Sequence, residues 1–222
     1  MKSFLEKYEN YEQAQSQFSR YYSLLIEWNE KFNLTAITNE SEVWSKHFAD
    51  SLSGESLIKK DATVLDVGSG AGFPGIPLKI VRGDINLTML DSVNKKVTFL
   101  NEVVRQLGLE NAKAIHSRIE DLDKKVKYDV VVSRAVASLP TLCEYALPFV
   151  KEGGIFIAYK SEKTDEEIAT AKNALSVLGG EIVEVKDVST GEFNRKLIVI
   201  KKVKSTPPKY PRGKNLPRVK PL

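Results

Sequence analysis

A short apolar run, Thr63-Val64-Leu65-Asp66-Val67, leads straight into Gly68-Ser69-Gly70-Ala71-Gly72-Phe73-Pro74-Gly75. This junction constrains the chain more than any other feature. Glycines permit positive φ and let a ligand approach the backbone closely. A helix starting just beyond them offers free amides and the positive end of its dipole. The segment therefore reads as strand, tight loop and helix. The dinucleotide fingerprint G-x-G-x-x-G requires a third glycine where this chain has Phe73. The phosphate-binding P-loop requires a following Gly-Lys-Ser/Thr, which is missing. The loop is thus not obliged to fit a pyrophosphate.

A second apolar run, Asn86 to Leu90, ends in Asp91, 19 residues after Gly72. A carboxylate there has two oxygens that can accept hydrogen bonds from both hydroxyls of a ribose. A ribose-bearing ligand is expected. Further strands are predicted at Ala112 to Ile115, Tyr128 to Val132 and Ile155 to Tyr159, with helices near 75–82, 95–107, 139–150 and 164–178. Strands alternating with helices predict an α/β protein with a parallel sheet wrapped on both faces. Two last strands, around 181–188 and 195–203, are expected to form an antiparallel hairpin through Gly191 at the sheet edge.

Ahead of this core, apolar residues recur at spacings of three and four from Phe4 to Phe32, predicting a helix over 3–32. A break at Asn33-Leu34-Thr35 precedes a second helix from about Ser41 to Leu52. The expected organisation is an N-terminal helical cap (1–60), a ligand-binding core (61–203) and a basic, proline-rich tail (204–222). That tail holds five prolines in 19 residues and no apolar periodicity, so it should be extended or irregular.

Composition narrows the function. Cys143 is the only cysteine and His47 and His116 are the only histidines, which argues against disulfides and metal clusters. No apolar run approaches a membrane span, and Glu6 and Glu9 interrupt any signal-peptide pattern. A reducing cytoplasm is the expected compartment, and a monomer with no metal and no membrane partner is the expected form. The net charge of +4 divides unevenly: residues 201–222 carry six Lys, two Arg and no acid, leaving 1–200 at −4. A polyanionic partner at the basic end is implied.

The string DVGSGAGFPGIPL, with LDS at 90–92 and SRA at 133–135, resembles the bacterial ribosomal RNA small subunit methyltransferase G family, also called glucose-inhibited division protein B. Within it, Asp66 to Gly72 has the D-x-G-x-G-x-G pattern of class I S-adenosylmethionine-dependent methyltransferases. Upstream, Trp28-Asn29, Asn33 to Ile37 and His47 to Leu52 match the family's cap; downstream, Tyr210-Pro211-Arg212 and Lys220-Pro221-Leu222 match its end. The chain departs from the pattern at Gly213-Lys214-Asn215-Leu216, where the family reads closer to Lys-x-Gly-Thr. The resemblance implies a Rossmann-like class I fold. It also implies methyl transfer from S-adenosylmethionine to guanine N7 in 16S rRNA of the small ribosomal subunit, in the loop near the decoding centre. Cofactor contacts carried over by it are Gly68 and Phe73, with Gly70 between them, then Asp91, Ser92 and Val93, Ile119 and Glu120, and Arg134.

Plainer roles stand beside these. Phe73 can pack the loop, Ser92 can cap a helix, Ile119-Glu120 can be a turn, and Arg134 can pair with a surface carboxylate. His47 is expected to cap or pack, with a substrate contact as the alternative, Lys160 to be exposed or to meet RNA backbone, and Cys143 to be a buried thiol. Guanine N7 has an in-plane lone pair and no proton to lose, so no catalytic residue is expected; alignment and a dry pocket suffice. Two other functions remain open on the residues: a methyltransferase of the same core acting on a small molecule or protein, and a non-catalytic nucleotide-binding module.

Overall fold

The computed structural model describes residues 3–134, 136–161, 164–190 and 193–222. Its strands are β1 (Thr63–Val67), β2 (Asn86–Asp91), β3 (Ala112–His116), β4 (Tyr128–Arg134), β5 (Val150–Ser161), β6 (Gly180–Thr190) and β7 (Phe193–Lys202). They form one sheet in the order β3-β2-β1-β4-β5-β7-β6. The first five are parallel, and β7 runs antiparallel to β5 and to β6. Gly191, expected at the β6–β7 turn, lies outside the described residues, as does Ala135 of the SRA string.

The apolar runs alternate between two cores, as the period of a strand requires. On one face Val64, Leu87, Met89, Val130, Val132 and Ile157 pack under the N-terminal aromatics. On the other Leu65, Leu90, Val131, Phe156 and Ala158 pack against Leu142, Cys143, Phe149 and Leu178. Cys143 is fully buried, and burial pushes its thiol up to about 12. Chain order reverses between β1 and β4, which opens a crevice beyond their carboxyl ends.

The N-terminal reading is corrected in detail. Ser3–Leu5 is a single 3₁₀ turn, and the long helix is Tyr11–Phe32. Asn10 precedes it and donates its side-chain amide to Ile80 O at 3.1 Å. The helix ends at Asn33, which takes the left-handed conformation (φ 48°) that asparagine tolerates. The second helical segment begins after Asn39, whose side chain accepts the Glu42 N–H, and widens to a π-helix over Val43–Ala49. Phe18, Tyr21, Trp44, Phe48 and Phe73 form a continuous ring cluster, with centroids 4.8 to 6.1 Å apart for the contacting pairs among them. The Tyr21 hydroxyl donates to Ala71 O in the glycine loop, so this cluster fastens the helices to the core.

Two other helices are shorter than expected. The one predicted over 139–150 ends at Ala146 and continues as a 3₁₀ turn, Leu147–Phe149. The one over 164–178 divides at Ala171 into Asp165–Thr170 and Lys172–Leu178.

The tail is irregular, as expected, but it is docked along its length. Glu144, fully buried, accepts from the Arg212 backbone N–H at 2.8 Å and from its Nη2 at 2.6 Å. Tyr210 is buried, Lys124 donates to Pro208 O and Pro211 O, and Thr141 donates to Pro217 O at 2.9 Å. A short helix, Leu216–Val219, follows. A buried carboxylate without a partner is costly, and Arg212 meets that need; composition alone gave no sign of it.

Candidate functional site

Asp66, at 0% exposure, accepts the Gly75 N–H at 3.0 Å and so anchors the start of the helix Gly75–Val81. Burial raises its carboxyl to about 7, against the lowering effect of that N–H. Between Asp66 and the helix, the loop folds over the end of β2. Gly68 and Ser69 donate to Leu90 O at 2.8 and 3.1 Å, and Gly70 donates to Asp91 Oδ2 at 2.9 Å. Gly68 has φ 72°, and a Cβ there would stand 2.6 Å from Val136 Cγ2. Gly70 has φ 60°, yet nothing lies within 3.9 Å of where its Cβ would be. Its side faces open space.

Two adjoining cavities flank the loop, with volumes of about 450 and 390 Å³. Gly68, Asp91 and Ser92 border both; Ile119 and Glu120 border the first; Gly70, Phe73, Val93 and Arg134 border the second. All nine residues singled out in the sequence therefore come together at the strand ends. Asp91 is 7% exposed. Its Oδ2 accepts from Gly70 and its Oδ1 from the Val93 N–H at 2.9 Å; the Lys96 ammonium lies 3.9 Å from Oδ2, beyond hydrogen-bond reach, so each oxygen keeps one lone pair.

Phe73 and Arg134 combine a lining role with a packing role. Phe73 is 6% exposed and stacks on His47, with ring centroids 4.5 Å apart. The Arg134 guanidinium lies 4.8 Å over the same ring. Arg134 Nη1 meets Asp50 Oδ2 at 2.8 Å, and Nη2 donates to His47 Nδ1 at 3.2 Å. Asp50, 1% exposed, also has Arg195 Nε 3.6 Å from its Oδ1. Arg134 thus pairs with a buried carboxylate of the N-terminal helices rather than a surface one. Burial and the adjacent Arg134 charge lower the His47 imidazole to about 4, so it is neutral at pH 7. Lys160, expected at the surface, is enclosed and pairs with Glu167 at 2.6 Å.

Sequence reasoning did not place Thr35, Val136, Tyr145, Asn215 or Arg218 at the cavities, yet they line them. It left His47 between packing and a substrate contact, and His47 both packs on Phe73 and lines the second cavity. The match of Asn33 to Ile37 and of His47 to the family's cap was the available signal for Thr35 and His47. For Asn215 and Arg218 the signal was absent, because the docking of the tail is a long-range event. Among the described residues no cluster of metal-ligating side chains occurs, and no helix is long and apolar enough to cross a membrane.

Solved structures with this fold include M. jannaschii TYW2 in complex with AdoMet (TM-score 0.58, 16% identity, 72% of this chain and 78% of that one). Another is the ribosomal protein L11 methylase from Lactobacillus delbrueckii subsp. bulgaricus (TM-score 0.56, 18% identity, 72% and 79%). These likenesses show a class I methyltransferase fold. Sequence relatives are far nearer. The chain is 50% identical to the ribosomal RNA small subunit methyltransferase G of Alkaliphilus metalliredigens, over 93% of this chain and 90% of that one. It is 47% identical to the protein of that name from an Exiguobacterium species, over 98% and 94%. The family model described as rRNA small subunit methyltransferase G matches residues 14–198. With a glycine loop, an acid-ended second strand and these relatives, the chain belongs to the rRNA small subunit methyltransferase G family.

Proposed function

We infer that the protein transfers a methyl group from S-adenosylmethionine to N7 of a guanine in small-subunit ribosomal RNA. The observation that carries this reading is the pair of joined cavities meeting at Asp91, which still has a lone pair free on each carboxylate oxygen. An adenosine fits the first cavity by its chemistry. Asp91 accepts from the ribose hydroxyls, Ile119 offers an apolar surface to the base, and Glu120 and Ser92 sit beside it. The Gly70 side of the loop is open enough for the remainder of the cofactor.

Bound there, S-adenosylmethionine supplies a methyl group already activated on a sulfonium. The chain's own part is alignment and exclusion of water. The loop and Asp91 fix one reactant, and the wall of Thr35, His47, Phe73 and Arg134 borders the space for the other. Guanine N7 uses its in-plane lone pair, and no proton leaves. A general base is superfluous, in keeping with a neutral His47 whose two nitrogens are already hydrogen-bonded. Alignment of this kind lowers barriers by several kcal/mol in general, up to about 7–11.

The RNA side is supported by charge. Lys204, Lys209, Lys214, Arg218 and Lys220 are all exposed on the docked tail, and Arg218 borders both cavities. A polyanion approaching the site meets this basic rim first. The cytoplasm, where ribosomal subunits are made, is the corresponding compartment, and a single chain holds all the groups named. The test is incubation with labelled S-adenosylmethionine and unmodified 30S subunits, followed by base mapping. Label in 16S rRNA at a guanine, sensitive to the strand cleavage that N7-methylation permits, is expected. Label in ribosomal protein, or none, would overturn the reading.

A further inference from the structure

Thr35 lies in the loop between the two N-terminal helical segments and borders the same cavity as Gly70, Phe73 and Arg134. Its backbone N–H donates to Asn29 Oδ1 at 2.8 Å, which fixes the loop. Its Oγ1 accepts the Ile37 N–H at 3.1 Å and lies 3.0 Å from His47 Nε2. The direction of that last bond follows from Arg134. A guanidinium only donates, so the His47 Nδ1 facing Arg134 Nη2 at 3.2 Å must accept. The proton of the neutral ring is then on Nε2, and Nε2 donates to Thr35 Oγ1.

A hydroxyl oxygen has two lone pairs and one proton. Both Thr35 lone pairs are taken, by Ile37 and by His47. Its proton is what remains, and among the described residues no acceptor receives it. Threonine, ordinarily both donor and acceptor, is here reduced to a donor beside an open cavity.

We propose that the Thr35 hydroxyl donates a hydrogen bond to O6 of the target guanine and thereby selects guanine over adenine. The inference rests on the methyltransferase reading above and deepens it. The edge of guanine that carries N7 presents two acceptors, N7 and O6, whereas adenine presents N7 and an N6 amino donor. A hydroxyl that can only donate suits the first and meets a second donor in the other. N7 itself is excluded as the partner, because its lone pair must stay free for the methyl. Positive charge grows on the ring as the methyl arrives, so O6 is the better acceptor before transfer than during it. The contact therefore acts on binding and base choice more than on the chemical step.

The test uses the full-length protein and two RNA substrates, one with guanine and one with 2-aminopurine at the mapped position; 2-aminopurine keeps N7 and lacks O6. The measured quantity is the ratio of kcat/KM for the two substrates, in which their intrinsic N7 reactivity is common to every variant. Thr35→Val is expected to lower kcat/KM on guanine RNA about 10-fold, mainly through KM. It should lower the guanine-to-2-aminopurine ratio by a similar factor. Thr35→Ser, which keeps the hydroxyl, should restore both. Calorimetric affinity for S-adenosylmethionine and the circular dichroism spectrum should match the wild type in both variants. A Thr35→Val ratio equal to the wild-type ratio overturns the Thr35 assignment while leaving the methyltransferase intact. A wild type that transfers no methyl to guanine RNA overturns the underlying reading instead.

Discussion

The two walls of the site are built by different means. The wall proposed for the cofactor is mostly backbone: the amides of Gly68, Ser69 and Gly70 are tied to the end of β2, Gly70 through the Asp91 carboxylate, which also holds the Val93 N–H. The opposite wall is mostly side chain, in a relay from Asn29 through Thr35, His47 and Arg134 to Asp50. The first wall takes its shape from residues near one another in sequence and from a sheet buried on both faces. The second takes its shape from charges and rings brought together from three segments. The first should therefore survive substitutions that disturb the second, and the reverse.

The largest effect tests whether the relay is held by its buried pair. Arg134→Met leaves Asp50, 1% exposed, with only Arg195 at 3.6 Å. Breaking such a pair costs about 3–5 kcal/mol of folding stability, measurable by urea unfolding. A loss below about 1 kcal/mol, the scale of a surface pair, would show that aromatic packing alone supports this wall.

Acid provides the next test. The His47 imidazole is lowered from 6.5 to about 4 in the folded protein. Unfolded chains then take up a proton that folded ones refuse, so stability is full above about pH 6.5 and declines as pH falls toward 4. The decline attributable to His47 approaches about 3 kcal/mol below both values. Unfolding free energies at several pH values, wild type minus His47→Gln, isolate this part from the carboxylates. A difference independent of pH would mean that folding leaves the ring's proton affinity unchanged, and one that grew toward acid pH would mean that the fold favours the protonated ring.

A smaller effect belongs to the backbone wall. Asp91→Ala should weaken S-adenosylmethionine binding by about 1.5–3 kcal/mol, the range for charge-assisted hydrogen bonds. Stability should change little, since the Gly70 and Val93 amides can turn to water. Unchanged affinity by calorimetry would remove the ribose role. The smallest effect is expected from Arg218→Ala, about 1 kcal/mol in cofactor affinity. Arg218 borders both cavities and donates to Val136 O at 3.1 Å. A loss as large as that of Asp91→Ala would make the docked tail a full partner of the cofactor wall.

The difference between the walls also explains what the sequence revealed. Strand, glycine loop and acid are local signals: Val64 to Val67 and Leu87 to Leu90 are buried runs, and the loop needs φ values that favour glycine. The relay has no such signature. Nothing around Arg134 indicates that its partner is Asp50, 84 positions earlier, and nothing around Glu144 indicates Arg212, 68 positions later. The helix expected over 3–32 starts only at Tyr11, where Asn10 before it answers to a carbonyl of Ile80, 70 positions away. Periodicity reads what one segment buries, and these contacts depend on which segments meet.

Asp50 stands between Arg134 on β4 and Arg195 on β7, so its surroundings exist only when both strands have joined the sheet. Contacts between distant positions close large loops and arrive late in folding. The hydroxyl of Thr35 is aimed by the far end of this same chain of bonds. The wall that carries Thr35 is therefore expected to be completed after the sheet and its glycine loop. During refolding, cofactor affinity should return ahead of methyl transfer, and a half-made molecule holding cofactor would leave RNA unmodified.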